Sequence, residues 1–188
     1  HLTKEEFDHG ATRRRGAELS DAEILVFMTQ DALPADRKLI GSLVTAIQEN
    51  EKVGAAYARQ LPKSDCGFLE KYTRSFNYPS ESCLKTEKDL ATRGIKTYFC
   101  SNVCAAYDHK IYNEIGGFPE HAIFNEDMIY AGWMVKKGYG VAYVAEARVY
   151  HSHNYSCAQQ FHRNFDLGVS QAEHPEIFEG VPSEGEGI

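Results

Sequence analysis

Apolar positions along the chain fall into short, distinct periodicities. Ile24-Leu25-Val26-Phe27-Met28 is a continuous β-branched and aromatic run, too short for a core helix, and predicts a buried strand of a parallel sheet. From Asp36 to Glu49, residues Leu39, Ile40, Leu43, Val44 and Ile47 recur at helical spacing behind Asp36, which can cap the first turn. An amphipathic helix is predicted there, and Val53 to Tyr57 reads as the next strand. Strand, helix and strand in that order make a right-handed βαβ unit. Arg59 to Lys96 breaks the rhythm with Pro62, Pro79, charges and aromatics. It reads as short helices within a long excursion of the kind that forms lids and binding loops.

Further along, Thr97 to Cys100 reads as a short strand and Ala105-Ala106 as a small-residue patch. Asp108 to Ile115 reads as a brief helix stopped by Gly116-Gly117. Asn125 to Lys137 is the clearest helix: Asn125 can cap it, Glu126 and Asp127 open it, Lys136 and Lys137 close it, and Gly138 stops it. Phe7 to Leu19 reads as a short helix or a loop leading into one. Val141 to Val144 and Arg148 to Tyr150 read as strand segments. His151-Ser152-His153, a helix rich in Gln, Phe and Arg, and an acidic tail over 173–188 follow; Pro182, Ser183 and two nearby glycines predict that the tail frays.

Composition narrows the class. With 188 residues, 43% hydrophobic and 25% charged, the chain is an ordinary globular domain, large enough to bury a core without a disulfide framework. The net charge of −7 argues against a nucleic-acid partner, and Arg13-Arg14-Arg15, the one dense basic run, reads as a solvated face. Cys66, Cys83, Cys100, Cys104 and Cys157 are odd in number and lack metal-site spacing, which suggests free thiols and a reducing compartment.

Three polar groups sit at element boundaries. Asp31 follows a strand, where open α/β sheets place their ligand chemistry, and a carboxylate there can hold a divalent cation; taken alone, it better suits the start of a turn before Pro34. Glu126-Asp127 at a helix start either favours the helix dipole or supplies a carboxylate base. His151 and His153, at i and i+2, share a face and could approach one metal or phosphate, or simply line a solvated edge.

In this order the groups resemble the family 2 GT-A glycosyltransferases, rhamnosyltransferase-like. The resemblance runs from about Phe7 to Val169. Its pieces are Phe27-Met28-Thr29-Gln30-Asp31-Ala32, Arg59-Gln60-Leu61-Pro62, Phe76-Asn77-Tyr78-Pro79, Gly116-Gly117-Phe118 leading into Phe124-Asn125-Glu126-Asp127, and Tyr150-His151-Ser152-His153-Asn154-Tyr155-Ser156. It implies an α/β, GT-A-like (Rossmann-related) mixed sheet flanked by helices over 1–172. The family opens with a strand-first half that grips base and ribose. Nothing of that kind precedes Phe7, so the N-terminal nucleotide-binding strands are expected to be missing and the isolated chain to show little activity.

The resemblance further implies inverting transfer of a deoxyhexose such as rhamnose from a nucleotide-diphosphate sugar, dTDP-rhamnose, to a hydroxyl of a glycan or lipid-linked saccharide. The setting would be bacterial polysaccharide synthesis, in the cytoplasm or at the inner face of the plasma membrane. Asp127 is the expected base, with Glu126 second. Asp31, His151 and His153 are the expected ligands of Mg2+ or Mn2+, since Gln30-Asp31-Ala32 offers one carboxylate where the family motif has two. Gln30, Asp31, Ser101 and Asn102 are expected on the donor side, and Arg59, Gln60, Phe76 and Tyr78 on the acceptor side. A non-catalytic binding or assembly module, and a metal-dependent hydrolase using Asp31, His151 and His153, remain open as alternatives.

Overall fold

The computed structural model describes residues 3, 7–122 and 124–182. In chain order the elements are α1 (His9–Glu18), β1 (Ile24–Met28), β2 (Leu33–Pro34), α2 (Leu39–Gln48), β3 (Val53–Leu61), α3 (Phe68–Asn77) and β4 (Cys83–Lys85). After two short 3-10 turns flanking α4 (Leu90–Arg93) come β5 (Cys104–Asp108), α5 (His109–Ile115), α6 (Glu126–Lys136), β6 (Gly140–Tyr150), α7 (Cys157–Ala172) and α8 (Pro175–Phe178). The strands form one mixed sheet in the order β1-β5-β3-β6-β2, with β4 also on β6. No helix among the described residues is long and apolar enough to cross a membrane, and all five cysteines are free.

The two faces of the sheet are covered differently. Leu39, Leu43 and Ile47 of α2 pack on Val53, Ala56, Ala58, Val144 and Val149 on one face. On the other, α6 is apolar nearly all round and its Met128, Tyr130, Met134 and Val135 lie against Tyr57, Tyr107 and Tyr143. β3 and β6 run parallel from Val53↔Gly140 to Leu61↔Tyr150, with an irregularity where Arg59 resumes pairing at Arg148. The two segments expected over 141–150 are therefore one strand.

Several local expectations are corrected. β1 is a strand, but among the described residues it lies at the sheet edge and pairs only with β5, antiparallel, and its Val26 and Met28 are exposed. The patch at Ala105-Ala106 is the middle of β5, which lies between β1 and β3; small side chains suit a strand packed on both faces. Thr97 and Tyr98 lie in a 3-10 turn, not a strand. Asp36 does not cap α2: its carboxylate accepts from the Lys38 amide and pairs with Arg148 at 2.6 Å, and the helix begins at Leu39. Asn125 takes the left-handed conformation (φ 72°) and its side chain makes no cap. Arg13 is not solvated but pairs with Glu126 at 2.7 Å.

The tail is also docked as far as it is described; 183–188 lie outside the described residues. Gly132 of α6 leaves room for Ile177 of α8, which is 1% exposed. The Pro182 carbonyl accepts from the Ile95 amide at 2.9 Å. Ile177, Phe178 and Val181 stand among charged residues, prolines and a glycine, a composition that reads as a frayed tail rather than a docked one. Ile177→Ala should therefore cost roughly 2–5 kcal/mol in denaturant unfolding, as a buried truncation does. A loss within about 0.5 kcal/mol, the range for surface changes, would show the tail undocked.

Candidate active site

The site lies where the carboxyl ends of β1, β3 and β6 meet the start of β5. Because β2 pairs Leu33 with Tyr150, the residues just before β2 lie beside those just after β6. That register brings Asp31 to His151 and His153. The ladder continues one residue past β6, with the His151 amide donating to the Leu61 carbonyl at 3.0 Å. On the other side the Thr29 amide donates to the Val103 carbonyl at 3.1 Å, which draws the 99–103 loop to the same edge. The cleft that results has a volume of about 390 Å³ and is lined by Asp31, Gln60, Ser101, Asn102, Glu126, Asp127, His151 and His153, among others.

Asp31 Oδ2 lies 3.4 Å from His151 Nε2 and 3.2 Å from His153 Nε2, and the two Nε2 atoms are 3.1 Å apart. Three donors each about 2.1 Å from one ion and 90–110° apart would be separated by about 3.0–3.4 Å, so this triangle fits a divalent cation. It is the one such group among the described residues. Burial lowers the affinity of His151 for a proton to a pKa of about 4, with the Arg74 charge adding to it, and burial lowers His153 as well. Imidazoles that stay neutral are what a metal ligand requires.

The second group opens α6. Asp127 is held by two backbone amides, Asn102 N–H to Oδ2 and Met128 N–H to Oδ1, both at 2.8 Å. Burial pushes its pKa up to about 7, and the Glu126 charge adds to this against the pull of the Asn102 amide and Arg13. Glu126 is tied instead: its Oε1 accepts from Arg13 at 2.7 Å and from Asn102 Nδ2 at 2.8 Å. Tyr107 donates to Asn102 Oδ1 at 2.8 Å, so the Asn102 side chain is committed within the protein. Beneath the loop, the buried Lys85 ammonium donates to the Phe99 carbonyl and to Tyr57 Oη.

Not every expected residue enters the cleft. Gln30 is exposed and lies outside it. Arg59 also lies outside, as side-chain alternation on β3 requires once Gln60 points in. Phe76 sits on the outer face of α3, stacked on Tyr72 and capped by the Lys96 ammonium, because α3 turns its polar side, with Thr73, Arg74 and Asn77, into the cleft. Tyr78 does line it, as a buried wall whose hydroxyl meets Gln60 Nε2 at 2.5 Å. Arg13 was invisible as a site residue in sequence, since its partner lies 113 residues along the chain, and Arg74 was missed because nothing local shows that α3 turns it toward Gln60.

The raised Asp127 value has a stability consequence with a definite sign. Its folded-state pKa exceeds the ordinary 3.8, so between about pH 4 and 7 the native protein holds a proton that the unfolded chain has released, and stability falls as pH rises through that window. The change in Tm on Asp127→Asn should be more favourable at pH 8 than at pH 5, by roughly 2–4 °C for each kcal/mol recovered, the NH2 set against one of the two backbone amides costing the same at both. An equal change at both pH values in a thermal melt would contradict the assignment.

Over 98% of its length the chain is 43% identical to an O-antigen chain rhamnosyltransferase of Salmonella typhimurium and 41% identical to one of Salmonella anatum. It spans 60% and 59% of those relatives. In structure it is similar to a mannosyltransferase of Pyrobaculum calidifontis solved with GDP-Man and Mn2+, with a TM-score of 0.65 over 96% of this chain and 47% of that one, at 16% identity. That likeness bears on the fold, which is of the GT-A kind. Residues 1–116 match Glycosyl transferase family 2, and the chain belongs to that family.

Proposed function

We propose that this chain carries the reaction centre of an inverting rhamnosyltransferase that moves the sugar of a nucleotide-diphosphate donor, dTDP-rhamnose, to a hydroxyl of a glycan or lipid-linked saccharide in O-antigen synthesis. The observation that carries the reading is a half-buried carboxylate held by two backbone amides, Asp127, in one cleft with the Asp31, His151 and His153 triangle. The names of the rhamnosyltransferase relatives support the sugar and the polymer.

In the transfer, the acceptor oxygen forms its bond to the anomeric carbon as the bond from that carbon to the diphosphate oxygen breaks. The electron pair leaves on the diphosphate, and the acceptor proton passes to Asp127. A base with a pKa near 7 matches that task at neutral pH. The Asn102 and Met128 amides keep the Asp127 carboxylate oriented while it waits. Glu126 serves as a positioning residue, since its carboxylate is occupied by Arg13 and Asn102. Asp31, His151 and His153 would hold a divalent cation, which when bound neutralises charge on the departing diphosphate. Two imidazoles in the donor set favour Mn2+ over Mg2+, which prefers an all-oxygen shell. On the acceptor side, the polar walls formed by Thr73 and Asn77 of α3 and Gln160 and Asn164 of α7 suit sugar hydroxyls.

A metal-dependent hydrolase could use the same three ligands, but membership of the transferase family favours transfer. In the protein carrying this chain, Asp127→Asn should lower turnover by roughly 10²–10⁴-fold while donor affinity stays nearly constant. The rate should rise with pH through about 7 as Asp127 loses its proton, and that limb should vanish in the variant. Asp31→Asn should instead weaken Mn2+-dependent donor binding, with partial recovery at higher Mn2+. Turnover within threefold of the unmodified protein for Asp127→Asn, or an unchanged metal response for Asp31→Asn, would overturn the corresponding assignment.

A further inference from the structure

Among the described residues Arg74 projects from α3 into the cleft and makes no hydrogen bond to Asp31, His151 or His153, yet its own hydrogen bonds determine the state of one of them. A guanidinium can only donate. Arg74 donates through one terminal nitrogen to the Gln60 side chain, so the amide atom it meets is the carbonyl oxygen, Oε1. That leaves the amide nitrogen, Nε2, to donate to Tyr78 Oη at 2.5 Å and Ser101 Oγ at 2.9 Å. Both of those partners are hydroxyls, able to donate or accept, and would tolerate the amide either way round. Arg74 alone dictates its orientation.

The same Oε1 lies 2.9 Å from His151 Nδ1. A carbonyl oxygen cannot donate, so Nδ1 carries the proton. In the neutral ring the lone pair is then on Nε2, which faces Asp31 Oδ2 at 3.4 Å and His153 Nε2 at 3.1 Å. Arg74 is itself oriented by Glu70 one turn earlier on α3, at 2.6 Å, and the same Glu70 oxygen accepts from the His153 amide at 3.3 Å. We propose that Arg74 is a positioning residue that, through Gln60, fixes His151 as the Nδ1–H tautomer and so presents its Nε2 lone pair, with Asp31 and His153, to a divalent cation. The consequence for metal rests on the reading of the triangle given above; the tautomer does not.

Without Arg74 the Gln60 amide can turn over, offering N–H to Nδ1 and moving the ring proton to Nε2, where it blocks a ligand. Arg74→Met should weaken Mn2+ binding about 10–100-fold, the range for losing a group that orients a metal-bound histidine. Calorimetry measures that affinity, and two-dimensional 1H–15N spectra of the metal-free protein read the tautomer directly. The spectra should show Nδ1–H in the unmodified chain and a shift toward Nε2–H in Arg74→Met. Arg74→Lys, which also only donates, should keep the Nδ1–H form.

The deciding comparison repeats Arg74→Met on top of Gln60→Glu, whose carboxylate has no N–H to offer in either orientation. There, removing the arginine should leave the Nδ1–H tautomer in place and Mn2+ affinity undiminished. An equal loss of affinity in both backgrounds would assign Arg74 a structural role and overturn the proposal. If the unmodified chain binds no Mn2+, the metal reading fails on its own, while Nε2–H in its nitrogen spectrum overturns the proposal regardless of metal.

Discussion

The parallel pairing of β3 with β6 organises everything functional in this chain. It runs to the last residue of both strands, Leu61 against Tyr150, and one bond further to the His151 amide. Because it does not stop short, Gln60 near the end of one strand and His151 just past the end of the other lie within a hydrogen bond. β2 then pairs with the far edge of β6 and brings Asp31 alongside, while β5 enters on the other side of β3 and brings the 99–103 loop. A slip of one residue in the β3–β6 register would turn His151 to the opposite face of the sheet.

The cleft is held by polar networks that oppose the stability of the fold. Asp127 is half-buried beside the buried Glu126, and its raised pKa is a sign that the native state disfavours its charge. The compensation is local: two amides on Asp127, and Arg13 and Asn102 on Glu126. Arg74 and Glu70 do the same for the histidine side, and Lys85 holds the loop between the two groups from below. Charges placed in this way rest on packing elsewhere, chiefly the apolar α6 and the α2 seam.

What could be read from sequence followed from locality. Asp31, Glu126, Asp127, His151 and His153 sit at the ends of elements whose periodicity is plain, so their place at one sheet edge was legible. β5 was not, because the small side chains of Cys104, Ala105 and Ala106, which suit a strand packed on both faces, carry neither alternation nor β-branched bulk. Arg13 shows only as part of a basic run, since its partner is 113 residues away. Phe76 was expected on the acceptor side from the family resemblance, but nothing in the local pattern reveals that α3 turns its polar side inward. Gln60 was picked out for the acceptor, whereas its contacts with Arg74, Tyr78, Ser101 and His151 join five positions that only the fold brings together.

The sheet edge gathers one carboxylate and two imidazoles, Asp31, His151 and His153, beside Asp127 at spacings that fit a single divalent cation. Electron spin-echo modulation of Mn2+ bound to the chain tests it most directly, because nitrogen ligands imprint their own frequencies on the echo. Coupling to two imidazole nitrogens is expected, with one lost in His151→Ala and one in His153→Ala. Mn2+ bound with no nitrogen coupling, or coupling untouched by either substitution, would contradict the account.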